Sequence, residues 1–181
     1  MKRWILLVFL TLSCVSQEAT PKVPVAEPQY LNEFYALGAD GQLVALEHQN
    51  AVFKSHVKSF VAYATVKSEA ELTSAHAPIR LSSNVQLVVK GRLPLDPASR
   101  FELRPLEVKG KHREIVLTKG HGSIAGASAT SSFDEPGIPL HFEEYGEASY
   151  RFAPEKPLVP GEYAISVKGA ITNLYCFGVD K

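Results

Sequence analysis

Few residues of this 181-residue chain have side chains suited to catalysis or metal binding: six histidines, a serine in a glycine-rich run, a late cysteine and two adjacent glutamates. The histidines are His48, His56, His76, His112, His121 and His141, and no two stand as His-x-His or His-x-x-x-His. No Cys-x-x-Cys accompanies them, so the local ligand pairs typical of zinc sites are missing and no cofactor is expected. His112 and His121 flank "REIVLTK" and converge only if the chain folds back there. In "GHGSIAG", His121 and Ser123 are the pair from which a hydrolase would be built. Proximity in sequence is not a triad, and the orienting carboxylate has to come from elsewhere. The run lacks the Gly-x-Ser-x-Gly elbow, and no Lys-Ser or Lys-Thr pair closes it as a phosphate cradle.

Cys176 lies in the apolar run "LYCFGV", where a thiol behaves as a small hydrophobe facing away from Tyr175, Phe177 and Val179. Glu143 and Glu144 point to opposite faces of a strand and make no ready acid–base couple. Glu162, at a turn-to-strand junction, is expected to point to solvent. The expectation is therefore a non-enzymatic chain.

The elements that must carry these residues read as strands. "EFYAL" and "LVALE" flank Asp40-Gly41, predicting a hairpin over 33–47. Over 50–72 the signals conflict: Phe53, Val57, Phe60, Val61 and Ala64 recur at helical spacing, while Val57, Val61, Tyr63, Thr65 and Val66 favour a pleated surface. The reading leans to a strand at about 57–66, with helical turns as the alternative. From Pro78 onward "PIRLS", "VQLVVKGRL", "RFELRPLEV", "REIVLTK", "IPLHFEE", "ASYRFAP", "EYAISV" and "NLYCFGV" alternate, with Gly110 and Gly146 at reversals. About nine or ten short strands and little helix predict an all-β antiparallel fold, a Greek-key sandwich. Residues 119–138 read as one long Gly/Ser/Ala-rich loop, mobile first and functional second.

The ends and the charge bound the compartment and the partners. Met1-Lys2-Arg3, the apolar run Trp4–Leu12 and a small-residue exit predict a secretory leader over 1–16, too short to span a bilayer. Alternatively "LSC" ends a lipoprotein leader over 1–13, with Cys14 lipidated. Either way the chain is expected to be exported, periplasmic or secreted, with an extended linker over 17–29 and a single domain over 30–181. Nineteen basic residues balance nineteen acidic ones, and loss of Lys2 and Arg3 leaves about −2. That is no electrostatic footprint for nucleic acid. With Cys14 spent, Cys176 has no disulfide partner. Basic residues crowd the middle of the chain and acidic ones its later part. The loop 119–138 and the basic hairpin thus supply the candidate contact residues Lys109, Lys111, Arg113, His121 and Ser123, facing an unidentified protein or envelope partner.

"LVPGEYAISV" resembles the tyrosine corner of immunoglobulin-like and fibronectin-like domains: Leu158 packs inward, Pro160-Gly161 turns, and Tyr163 folds back. The immunoglobulin cysteine pair is missing and the one tryptophan is Trp4, so the resemblance implies only the general sandwich architecture. The text "PGEYA…CFGVD", Pro160–Ala164 and Cys176–Asp180, is also similar to a loose group of uncharacterised exported bacterial proteins, which implies no function. A binding or structural accessory module of the envelope is expected. The rivals are a small-molecule or lipid carrier with a barrel interior and a hydrolase using the 119–138 segment.

Overall fold

The computed structural model describes residues 26–91, 96–123, 126–131 and 137–180. The segment expected to be a leader, Cys14 and most of the expected linker lie outside them. In chain order the strands are β1 (Phe34–Leu37), β2 (Leu43–Ala45), β3 (Glu47–Asn50), β4 (Val52–Phe60) and β5 (Tyr63–Thr73). They continue with β6 (Arg80–Leu81), β7 (Leu87–Lys90), β8 (Phe101–Lys109), β9 (His112–Ser123) and β10 (Gly126–Ser131). The last are β11 (Leu140–Tyr145), β12 (Ser149–Pro154), β13 (Gly161–Val167) and β14 (Ala170–Val179). One 3-10 turn, Pro97–Ser99, is the only helical element among the described residues. The protein is all-β, with more strands than the nine or ten expected.

Two of the differences have local causes. The 50–72 segment is two strands, because the chain reverses at Val61–Ala62, inside the single strand expected at 57–66. The helical spacing there was coincidental: Phe53 and Val57 share one face of β4, and Ala64 and Val66 the matching face of β5, as period two requires. Nor is 119–138 one long loop: β9 runs on to Ser123 and β10 pairs back on it, Gly126 with Ser123 through Ser131 with Thr118. Glycine, alanine and serine weaken strand propensity, but the β5 edge supplies hydrogen-bond partners along the whole length of β9 and overrides it.

The strands form a five-stranded sheet in the order β11-β12-β7-β1-β2 and a nine-stranded one, β3-β14-β13-β8-β9-β5-β4, with β10 on β9 and β6 on β14. All pairings are antiparallel except β6 with β14. After β2 the chain passes through buried Leu46 from the smaller sheet to the larger.

Alternation explains where the core sits. Phe34, Leu87, Val89 and Phe152 of the smaller sheet meet Phe101, Leu103, Tyr163, Ile165, Phe177 and Val179 of the larger across the gap between them. The residues alternating with these on the larger sheet form a second core: Leu106, Ala164, Leu174 and Cys176 pack with Ala70, Leu72, Ile115 and Leu117. The larger sheet therefore curls into a half-barrel, and β13 is buried on both faces from Glu162 to Ser166.

The Tyr163 hydroxyl donates to the Val159 carbonyl at 2.7 Å, and its ring lies over Gly161 and stacks on Phe177. Tyr163→Phe leaves the packing and removes the donor, so it should lower stability by about 1 kcal/mol in urea unfolding. No change in midpoint would show that the Val159 carbonyl finds water instead.

Candidate functional site

At one end of the half-barrel, four strands and a loop bring charges together in the interior. Glu162, the second residue of β13, points inward with Ala164, so the expectation that it faces solvent is corrected. Period two fixes that it opposes Tyr163, but the curl of the sheet covers that side too. Arg113, read as a surface contact, shares the interior face of β9 with Ile115 and Leu117 and is 0% exposed. Its Nη2 donates to Glu47 Oε2 at 2.8 Å and to the Thr73 carbonyl at 3.2 Å, and its Nε to the Ser74 carbonyl at 3.1 Å. Its Nη1 makes no hydrogen bond and lies 3.5 Å from Glu162 Oε2.

Glu162 accepts from the Ala77 amide at 2.9 Å, from Arg80 Nη1 and from His76 Nδ1 at 3.1 Å. Burial opposes its ionisation most strongly, yet the Ala77 amide, Arg80 and His76 together hold its carboxyl below the usual glutamate range. Arg80 is held in turn by Asp180 Oδ1, at 3.0 Å from Nε and 2.7 Å from Nη2. Its guanidinium lies over Gly178, in the space a Cβ would take, and Gly178 is the register partner of Glu162. The "GEYA" and "CFGVD" segments thus lie side by side: Glu162 opposite Gly178, Arg80 across both, and Asp180 closing the far side.

Two predictions follow from this geometry. Gly178→Ala must push Arg80 off Glu162 and should cost about 1–3 kcal/mol, read as a lowered urea midpoint. Because the folded-state pKa of Glu162 is depressed, its contribution is present above the ordinary carboxylate range and is lost as pH falls below about 4.5. Glu162→Gln should flatten that part of the stability–pH curve, and an unchanged curve would refute the assignment.

Cys176 lies in the same interior, opposite Glu47. Burial pushes its thiol up to about 12, so it is a packing residue rather than a nucleophile.

The strands β4, β5, β9 and β10 carry the remaining candidates. In register, Lys58, Thr65, His121 and Ser128 form one cross-strand row, and His56, Lys67, Lys119 and Thr130 the next. His121 and Ser123 share this polar face; the Ser123 hydroxyl donates to the Gly126 carbonyl at 3.3 Å. The row beyond is ionic: Lys67 Nζ reaches Glu114 at 2.6 Å and Glu69, and His56 Nε2 lies 3.1 Å from Glu69. The opposite face holds Phe53, Val57, Ala64, Val66, Gly120, Gly122, Ala127 and Ala129, crossed by the polar row Ser55, Ser68 and Thr118. Val57 is 66% and Phe53 51% exposed. Lys109 and Lys111, at the β8–β9 turn where Gly110 takes φ +60°, are exposed, with Lys109 paired to Glu107 at 3.0 Å.

No family model, curated protein or solved structure matches this chain. Function must therefore be read from its own surfaces.

Among the described residues no group of three or more His, Cys, Asp or Glu is placed to hold a metal ion, and no helix is long and apolar enough to cross a membrane. The interior of the half-barrel is occupied by Leu72, Ile115, Leu174, Cys176 and Arg113. A cleft of about 460 Å³ opens instead where β8 and β9 part, lined by Arg104, Leu106, Glu107, Leu117, Lys119 and Ile138. At the linker end Glu27 accepts from the Glu147 amide and from the Ser149 hydroxyl at 2.9 Å. Foremost among the causes, the Glu147 amide holds its carboxyl below the usual range.

Sequence reading missed Glu47, Arg80 and Gly178. The one available signal was a glutamate at the start of a strand otherwise bound for the core.

Proposed function

We propose that the protein is an exported, non-enzymatic binding or structural accessory module of the cell envelope, whose contact surface is the sheet β4-β5-β9-β10. Residues 1–16 serve as its leader, with release after Ser16 or tethering through lipidated Cys14 as the two routes. The two facing sheets are read as a sandwich of immunoglobulin-like character. The observation that carries the binding role is the exposure of Phe53, Val57 and Val66 together on one sheet face, since clustered large apolar side chains left open on a surface mark a contact site. The ionisable groups buried with Glu162 and Arg113 are spent on one another, in ion pairs rather than around a vacant cleft.

A photoreactive residue at Val57, in the full-length chain expressed in a bacterial host, should give a discrete cross-linked adduct in the envelope fraction. The same residue at exposed Val159, in the connection between β12 and β13, should not. Equal adducts from both positions, or a chain found only in the cytoplasm, would reject the proposal. A second reading, carriage of a small apolar molecule, rests on the β8–β9 cleft, and a fluorescent fatty acid that fails to bind would dismiss it.

A further inference from the structure

We infer that β4 receives an extended partner segment of alternating acidic and apolar residues, added as a further strand to the larger sheet. This rests on the binding-module reading and specifies its partner. β4 closes the strand order of that sheet, and β5 is its one strand partner among the described residues. Its nine residues pair with β5 in continuous register, without bulge or proline. The outward N–H and C=O groups therefore form an unbroken template for another strand.

The side chains of β4 specify what the added strand carries. Phe53 and Val57 look to the apolar face, with Ser55 and Ser59, while Lys54, His56 and Lys58 look to the other. All the ionisable groups on the strand are thus basic. Lys54 is met by Glu71 and His56 by Glu69, but Lys58 faces Thr65 across the ladder, and His121 and Lys119 stand further along the same rows. An added strand that alternates carboxylates with apolar side chains meets this charge on one face and extends the greasy strip of Phe53, Val57 and Val66 on the other.

The same pattern disfavours a second copy of this chain. Three two-fold antiparallel registers pair seven or more residues of β4 with themselves, centred on Ser55, His56 or Val57. These oppose Lys54 to His56, Lys54 to Lys58, or His56 to Lys58, and like charges directly opposite are destabilising.

The test uses the full chain and fluorescein-labelled nonapeptides followed by anisotropy. A peptide alternating glutamate and valine should bind saturably, roughly tenfold more tightly than its lysine–valine counterpart, and more weakly as salt rises. Lys58→Glu, a change at an exposed position that leaves the β5 ladder intact, should reverse the preference. Methylating alternate amides of the acidic peptide should abolish binding in one phase and spare it in the other, because a strand offers only every second N–H to its neighbour. Three results would overturn the inference: equal binding of acidic and basic peptides, unchanged binding with both methylation phases, or a dimer of the free chain that disulfide-links through Val57→Cys. A specific Val57 photoadduct with no peptide binding would keep the contact surface and remove strand addition.

Discussion

Arg113→Ala should lower the folding free energy by about 3–5 kcal/mol. The guanidinium is fully buried, and its removal leaves Glu47 without its 2.8 Å partner and takes one of two guanidinium groups from Glu162, which is 4% exposed and keeps Arg80, His76 and the Ala77 amide. It also withdraws donors from the Ser74 and Thr73 carbonyls, which tie the end of β5 to the half-barrel. Urea unfolding of the purified chain gives the number. The cost is mainly that of uncompensated buried charge, so the double variant Arg113→Met, Glu162→Gln should recover part of it, whereas independent sites would add. A single-variant loss below about 1 kcal/mol would mean that water reaches the cluster and screens it.

Phe34→Ala should cost about 3–5 kcal/mol and loosen the two sheets from each other. Phe34 sits on β1 of the smaller sheet, yet its ring meets Phe101 and Tyr175 of the larger edge-on, at 5.1 and 4.9 Å between centroids, and Phe152 beside it at 6.0 Å. Near-ultraviolet circular dichroism should lose aromatic signal along with the drop in urea midpoint. Retention of that signal would place the ordering of the aromatic cluster elsewhere, for instance in the Phe142–Phe152 stack.

Much of the fold was legible in the sequence because strands are written locally. Every-other-residue apolarity in "EYAISV" and "LYCFGV" placed Tyr163 and Ile165 together, and set Cys176 against Phe177 and Val179, as the two cores now divide them. Reversals at Gly41, Gly110 and Gly146 were visible as glycines that take positive φ. Two misreadings arose where local signals were weak. The small residues of 119–131 hid a hairpin, and a turn without glycine or proline at Val61–Ala62 was invisible. No local pattern marks a strand whose stability comes from its neighbours.

By itself the sequence determined that this chain is all-β and which residues share each face of a strand, because pleating is a property of consecutive residues. Only the tertiary structure decided what covers those faces. The curl of the larger sheet put Glu162 and Arg113 inside, and the register of β13 on β14 set Gly178 beneath Arg80. It also left β4 at the edge of the larger sheet among the described residues. Burial depends on surfaces that arrive from scores of residues away, and period two says nothing about them.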